Sequence, residues 1–454
     1  MTYHGATPKA FDSGAVAHHG PARRGEIMRL KTIRPMILFL FLWLVAGGAG
    51  AQFLQYTPPG GPDQESEDRR EELERQIEAA RYHLGPLRIT PWASISDLAY
   101  VRNFFENGAE SPDDVTASVG AGFRAYLRNG SKAAWSLQVL PEYTWWARQE
   151  ERRQLNGTYL LGFHGFFNRL TLEVIAGREQ ELKIVTPDVP TPVSSRSDGG
   201  QIQAELQLTG AFSAFTTFSV EQQDNLVEDL TDPRFQELGR LDREERVLRA
   251  GLRWRPRQEW TLGLGAEISE VDFDRVRGLA DRSNEGTAPI AEVRFRGNRL
   301  EAGFDLADRS LEARRGAFFV PYDRITGSAQ VAVKGGRRSS TGVYASRTLA
   351  YTISPLYSYL QDERLGVFVG IGAGRRASLR VFAEGGANDY FTFSPLTPPR
   401  QEDVTSYGGS LTFPLGRFLS FQLNGVRSRF DSNLPGGDRT YTSLGTTIAL
   451  GGLL

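Results

Sequence analysis

Polar side chains that could act together recur at every second position over long stretches of this sequence. Gln201, Gln203, Glu205 and Gln207 alternate with Ile202, Ala204, Leu206 and Leu208, and Arg249 and Arg253 alternate with Leu248, Ala250, Leu252 and Trp254. Glu267 opposes Leu264, Ala266 and Ile268, while Glu301 and Asp305 oppose Leu300, Ala302, Phe304 and Leu306. A period of two places each set on one face of a β-strand. The same rule collects Arg124, Gln138, Glu173, Gln203, Glu205, Gln207, Arg249, Arg253, Glu267, Glu292, Arg294, Glu301, Asp305, Arg380, Glu384, Gln422 and Asn424 as one polar set. Apolar alternates facing lipid would leave this set to line a water-filled lumen. Facing rows of Arg and acid would then impose a transverse field that orders water and selects polar solutes. In the alternative role the same residues pair with one another and keep a plugged or narrow lumen hydrated.

Other chemistry is poorly served. A Ser-His-Asp hydrolase would depend on His164 alone, because the other histidines lie near the N-terminus or, as His83, at the end of a helical stretch; a structural lumen-facing His164 is the better reading. The absence of Cys removes thiol nucleophiles, disulfides and Cys-ligated zinc. Asp224, Glu228, Asp229 and Asp232 could hold Ca²⁺ but lack a fixed ligand spacing, so they read as a solvated loop. No cofactor or resident metal is expected. The 53 basic and 54 acidic residues balance without any long run of one sign, which argues against nucleic acid as a partner.

The elements that must position the polar set follow from the rest of the chain. Arg29, Lys31 and Arg34 precede an apolar run, Met36 to Ala46, of about eleven residues, too short for a spanning helix of ~20. Ala49-Gly50-Ala51 completes the pattern of a signal peptide over 28–51, with residues 1–27 upstream of a start at Met28. A Pro- and Gly-rich linker, 52–63, leads to an amphipathic periplasmic helix expected over 64–85. Ser66 and Asp68 can cap it, and Leu73, Ile77, Ala80 and Leu84 form one stripe. Gly85-Pro86 should end it. This helix is either solvated or docked by its stripe on the barrel mouth or a partner helix.

From residue 86 to 454 the period is two. Short turns, as at Arg128-Asn129-Gly130-Ser131, Phe167-Asn168-Arg169 and Lys334-Gly335-Gly336, exchange strictly with longer charged links such as 180–200, 222–244, 271–286, 309–324 and 386–402. Eight short turns and nine longer links give about eighteen strands, sixteen being the alternative. Short turns at one end and long loops at the other are the asymmetry of an all-β, up-and-down transmembrane barrel. Trp135, Tyr143, Trp145, Trp146, Trp254 and Trp260 fall near strand ends and are read as a girdle at the lipid headgroups.

Leu87-Arg88-Ile89-Thr90-Pro91-Trp92, the aromatic and Asn-containing stretch from Tyr100 to Asn107, Asp113-Asp114 before a strand, and the hairpins that follow resemble the β-barrel porin family associated with exopolysaccharide systems. The chain departs from barrel proteins generally in ending on Leu454, where an aromatic usually signals to the barrel assembly machinery. The resemblance implies a porin-like channel in the outer membrane, reached by signal-dependent export, passing small polar solutes or exported polysaccharide and partnered by outer-membrane lipid and the assembly machinery. The alternative is a non-conducting structural or adhesive barrel that presents its long loops. No enzyme activity is expected.

Overall fold

The computed structural model describes residues 69–450 apart from 102–113, 149, 151–152, 184, 187–192, 227–237, 274–280, 315, 337, 373–376 and 416–418. The expected signal peptide, the linker, the caps Ser66 and Asp68, and the loop acids Glu228, Asp229 and Asp232 lie outside the described residues.

A short helix, α1 (Arg69–Glu78), and a three-residue strand, β1 (Tyr82–Leu84), lead into β2 (Leu87–Val101), β3 (Asp114–Asn129), β4 (Ala133–Trp146), β5 (Gln154–Phe166) and β6 (Leu170–Lys183). The series continues with β7 (Val193–Gln207), β8 (Phe212–Leu226), β9 (Arg243–Trp254), β10 (Trp260–Asp272), β11 (Asn284–Arg296), β12 (Leu300–Ala313) and β13 (Tyr322–Lys334). It ends with β14 (Ser339–Ala350), β15 (Tyr359–Gly372), β16 (Ser378–Phe391), β17 (Arg400–Pro414), β18 (Leu419–Ser432) and β19 (Arg439–Leu450). Each strand from β2 onward pairs antiparallel with its sequence neighbours, and β19 returns to β2 through Ile448↔Ile95, Ala449↔Ser94 and Leu450↔Ala93. The result is a closed 18-strand barrel, which removes the unpaired edges that an apolar solvent would not tolerate. Among the described residues no helix is long and apolar enough to cross a membrane.

The two faces of the wall differ as the alternation requires. Leu264, Leu365 and Ile268 are among many large apolar side chains left exposed, the first two at 71% and 67%, and their parity defines the outward face. On β10 this face reads Trp260, Leu262, Leu264, Ala266, Ile268 and then turns to Glu270 and Asp272; on β7 it reads Leu206, Ala204, Ile202 and then Asp198 and Arg196. An apolar belt of four to five outward residues on a tilted strand matches the ~25 Å height of a bilayer core. Trp135 with Phe163, Trp254 with Phe212 and Trp260 with Phe295 pair at its short-turn rim, with ring centroids 5.0, 6.1 and 4.7 Å apart. Trp146 does not belong to this girdle: it follows the inward parity of β4 and is buried.

Above the belt the strands continue with charge on both faces. Arg178 meets Asp198 at 2.5 Å and Arg246 meets Glu244 at 2.6 Å on the outward side. This corrects the expected links 180–200, 222–244, 271–286, 309–324 and 386–402, each of which loses residues to its flanking strands. Once outside lipid, a strand is wet on both faces and its apolar alternation stops, although its backbone ladder does not.

The expected helix over 64–85 is also corrected. Among the described residues α1 ends at Glu78, and Tyr82–Leu84 forms β1, which pairs back on β2 with Leu84↔Leu87. Gly85, at φ +60°, opens a two-residue hairpin turn rather than a helix end. Leu84 is therefore off the apolar stripe and exposed, whereas Leu73, Ile77 and Ala80 are buried. Pro91, which cannot donate to a ladder, sits between the β2 residues that pair with β1 and those that pair with β19.

Candidate functional site: the inward wall

Helix α1 fixes which face is the inside. Leu73 and Ile77 pack on Tyr126, Ala134 and Phe166, which share the parity opposite to the exposed apolar belt on β3, β4 and β5. Tyr126 donates its hydroxyl to Gln76 Oε1 at 2.6 Å, and the Arg70 guanidinium lies 5.5 Å from the Phe166 ring centre. The helix thus stands inside the short-turn mouth against one side of the wall. Of the two roles open to it in the sequence, it takes the docked one.

The expected polar set shares this inward face, and register decides which members meet. Arg124 Nε donates to Gln138 Oε1 at 2.7 Å. On the opposite wall the charges interleave: Arg253 reaches Glu205 at 2.9 Å and Glu292 at 3.1 Å, Arg255 adds a 2.7 Å contact to Glu205, and Arg294 meets Asp305 at 2.6 Å. Higher on the same wall Glu267 is held by Arg249 at 2.6 Å and by Arg309 at 2.9 Å. Glu301 pairs with Lys334, Glu384 accepts from the Tyr344 hydroxyl at 2.8 Å, and Arg380 lies 5.3 Å from the Phe368 ring centre. Gln203 stands opposite Glu173 across β6 and β7, while Gln422 donates to Asn424 at 2.9 Å within β18. Between neighbouring strands of this wall acid and base alternate, Glu205, Arg253 and Glu292 forming one such run.

His164 does not stand alone. Its Nε2 is 2.9 Å from Ser136 Oγ, and its Nδ1 is 3.2 Å from Glu173 Oε1. Ser136 was not singled out by the sequence, because its meeting with His164 depends on the register of β4 on β5.

The long-loop end holds residues that sequence reasoning missed. Glu402 is buried and bound by Arg439 at 2.6 and 2.8 Å, Arg400 at 2.7 Å and Tyr390 at 3.1 Å. Connections remote in sequence also converge there: Leu238 and Leu241 pack with Val185, Tyr351 and Ile353, and Arg282 donates to the carbonyls of Thr352 and, at 2.8 Å, Ser354. Burial, with Glu245 nearby, pushes the Tyr351 hydroxyl up to about 12, and its oxygen accepts from Asn284 at 2.9 Å. Asp224, the described acid of the expected solvated loop, lies on β8 and binds Arg196 at 2.5 Å. Among the described residues no three acidic or His side chains are grouped as metal ligands.

No family model matches the chain, and no curated protein matches it. Solved structures are similar in the course of the backbone. A BenF-like porin from Pseudomonas fluorescens Pf-5 is 10% identical, with a TM-score of 0.49 over 80% of this chain and 97% of that one. OccAB3 of Acinetobacter baumannii is 8% identical with a TM-score of 0.47 over 80% and 98%, and OccK2 of Pseudomonas aeruginosa, solved with glucuronate, is 13% identical with a TM-score of 0.48 over 80% and 98%. At these identities the likeness is one of fold.

Proposed function

We propose that the protein is an outer-membrane, porin-like channel for small polar solutes. The observation that carries this reading is a closed 18-strand ring with an apolar outward belt and an inward face bearing Arg, Glu, Asp and Gln side chains of mixed sign. Rings of this size are wide enough to leave an aqueous path. Charges satisfied pairwise along one wall keep that path hydrated without a strong preference for one sign. Reconstitution in planar bilayers tests the proposal. Discrete conductance steps with weak ion selectivity are expected, and an electrically silent barrel that is folded by heat-modifiable gel mobility would refute it.

The non-conducting reading has its own support, since α1 occupies part of one mouth and converging connections stand at the other. It expects silence until the helix is removed. Passage of exported polysaccharide, export by the signal peptide and handling by the barrel assembly machinery belong to the proposal as well. They are tested by capsule or exopolysaccharide yield in a deletion strain and by outer-membrane fractionation.

A further inference from the structure

Ser136, His164 and Glu173 lie side by side on the inward faces of β4, β5 and β6, in the order nucleophile, base and acid. Ser136 Oγ is 2.9 Å from His164 Nε2, and Glu173 Oε1 is 3.2 Å from His164 Nδ1. The two ring nitrogens are thus engaged separately, as a general base must be when a carboxylate sets its tautomer and a hydroxyl awaits deprotonation. Gly162 makes this approach possible: a Cβ there would lie 2.4 Å from Ser136 Oγ and 2.9 Å from His164 Nε2. A side chain at 162 would force the Ser136 hydroxyl or the His164 ring to move from this position.

The surroundings complete a reaction site. Gln138 follows Ser136 by two residues on the same inward face, about 7 Å along the strand. Its amide oxygen is occupied by Arg124 Nε at 2.7 Å, which leaves the amide nitrogen and the terminal guanidinium nitrogens as further donors on the inward face, one inward position along β4 from the serine. Among the described residues they have no other hydrogen-bond partner. Gly162 is bordered on the inward face by Leu160 and by Ile175, its partner in β6, an apolar patch in a polar wall. Below, Ala134 and Tyr126 carry the docked helix α1, which floors the site on the short-turn side.

We infer that Ser136 is an activated nucleophile of an acyl-transfer site inside the lumen, with His164 as its base, Glu173 as the positioning residue, and short uncharged acyl esters of polar alcohols as substrates. The Ser136 hydroxyl proton passes to His164 Nε2 as Oγ bonds to the ester carbonyl carbon. The tetrahedral oxyanion is met by Gln138 and Arg124. Collapse breaks the ester C–O bond, the alcohol leaves with the proton returned from His164, and the acyl group remains on Ser136. Water, deprotonated by His164, then releases the carboxylic acid and restores the serine.

The full chain, purified and folded in detergent, is treated with a fluorophosphonate probe, which forms an O–P bond to an activated serine as fluoride leaves with its proton. One labelled peptide, carrying Ser136, is expected. Labelling is abolished in Ser136→Ala, falls about 100-fold or more in His164→Gln, as removal of a general base requires, and is unchanged in Ser328→Ala on the far wall. Glu173→Gln should lower the rate of p-nitrophenyl acetate hydrolysis and shift its pH profile, which a merely structural carboxylate would not do. Variants are compared only where heat-modifiable mobility shows a folded barrel. The inference is overturned if the folded wild-type chain takes no label, if label is spread over serines without preference for Ser136, or if His164→Gln labels at the wild-type rate. Conductance of the same preparation is read separately, so this site and the channel can each fail without the other.

Discussion

Undocking of α1 offers the sharpest test of how the lumen is built. The described part of the helix spans ten residues, shorter than the ~12–15 at which an isolated helix persists in water, and it is anchored by the contacts of Leu73 and Ile77 with Tyr126, Ala134 and Phe166. Ile77 is 3% exposed. Truncation to alanine removes about 2 kcal/mol, the low end for a buried Ile, because a site at an open mouth can relax into the space left behind. At 1.4 kcal/mol per tenfold, the undocked fraction should rise about 30-fold. The chain contains no Cys, so Ala80→Cys, nearly isosteric at a position 5% exposed, provides a unique thiol that a water-soluble maleimide reaches only when the segment lifts away. Labelling of Ala80→Cys should be slow, and about 30 times faster with Ile77→Ala added. Single-channel conductance should rise in the same variant as the mouth clears. Equal labelling rates in the two backgrounds, both as fast as for a free peptide, would refute the docked helix.

Leu264 lies at the middle of the outward belt of β10, so Leu264→Arg should lower the unfolding free energy in lipid by roughly 2–4 kcal/mol, measured by denaturant titration of the reconstituted barrel. The reverse substitution on the inward side of the neighbouring strand, Arg249→Leu, should spare insertion and change conductance, at a smaller cost in stability because the buried Glu267 keeps Arg309 as its partner. Arg253→Ala frees Glu205 and Glu292 of a shared cation and should shift the reversal potential in a salt gradient toward cation preference; a shift toward anions would contradict the pairing. Glu402→Leu leaves Arg400 and Arg439 without the buried carboxylate that holds them. A cost of about 3–5 kcal/mol, typical of breaking a buried pair from one side, should appear as faster hydrogen exchange at the long-loop ends of β17 and β19.

The strand count, the short turns and the sidedness of the wall were legible because each rests on a local rule. Lipid on one side and water on the other enforce a period of two, and turns of two to five residues leave little freedom in pairing. The ends of the strands were not legible for the same reason. On β7 the outward face changes from Ala204 and Ile202 to Asp198 and Arg196, and a pattern that measures polarity reads the change as the start of a loop. The ladder continues to Val193, since it depends on backbone partners in β6 and β8. At the N-terminus the stripe of Leu73, Ile77, Ala80 and Leu84 misled by one turn. Gly85-Pro86 marks a helix stop or a hairpin equally well, and only the presence of β2 as a template for β1 separates them.

Which inward side chains meet is a question of register, and register is local only across a short turn. The two-residue turn at Asn168 and Arg169 is enough to set His164 opposite Glu173, so that half of the serine-histidine-glutamate set could be derived from the sequence. The other half could not. Ser136 and His164 are joined through a longer link, 147–153, and a slip of two residues along β5, which preserves every inward and outward assignment, would bring Leu160 or Asn156 rather than Gly162 or Thr158 to the same partners. Gly162 supplies the missing constraint. It is the inward position of β5 at which a serine opposite and a histidine two residues on can share one space, and a larger residue there would force the wall to relax or the pair to part. A Gly162→Ala barrel that keeps its heat-modifiable mobility while losing fluorophosphonate labelling would therefore locate the reactive geometry in the register itself. Retained labelling at the wild-type rate would mean that the close approach of Ser136 to His164 is not what activates the serine.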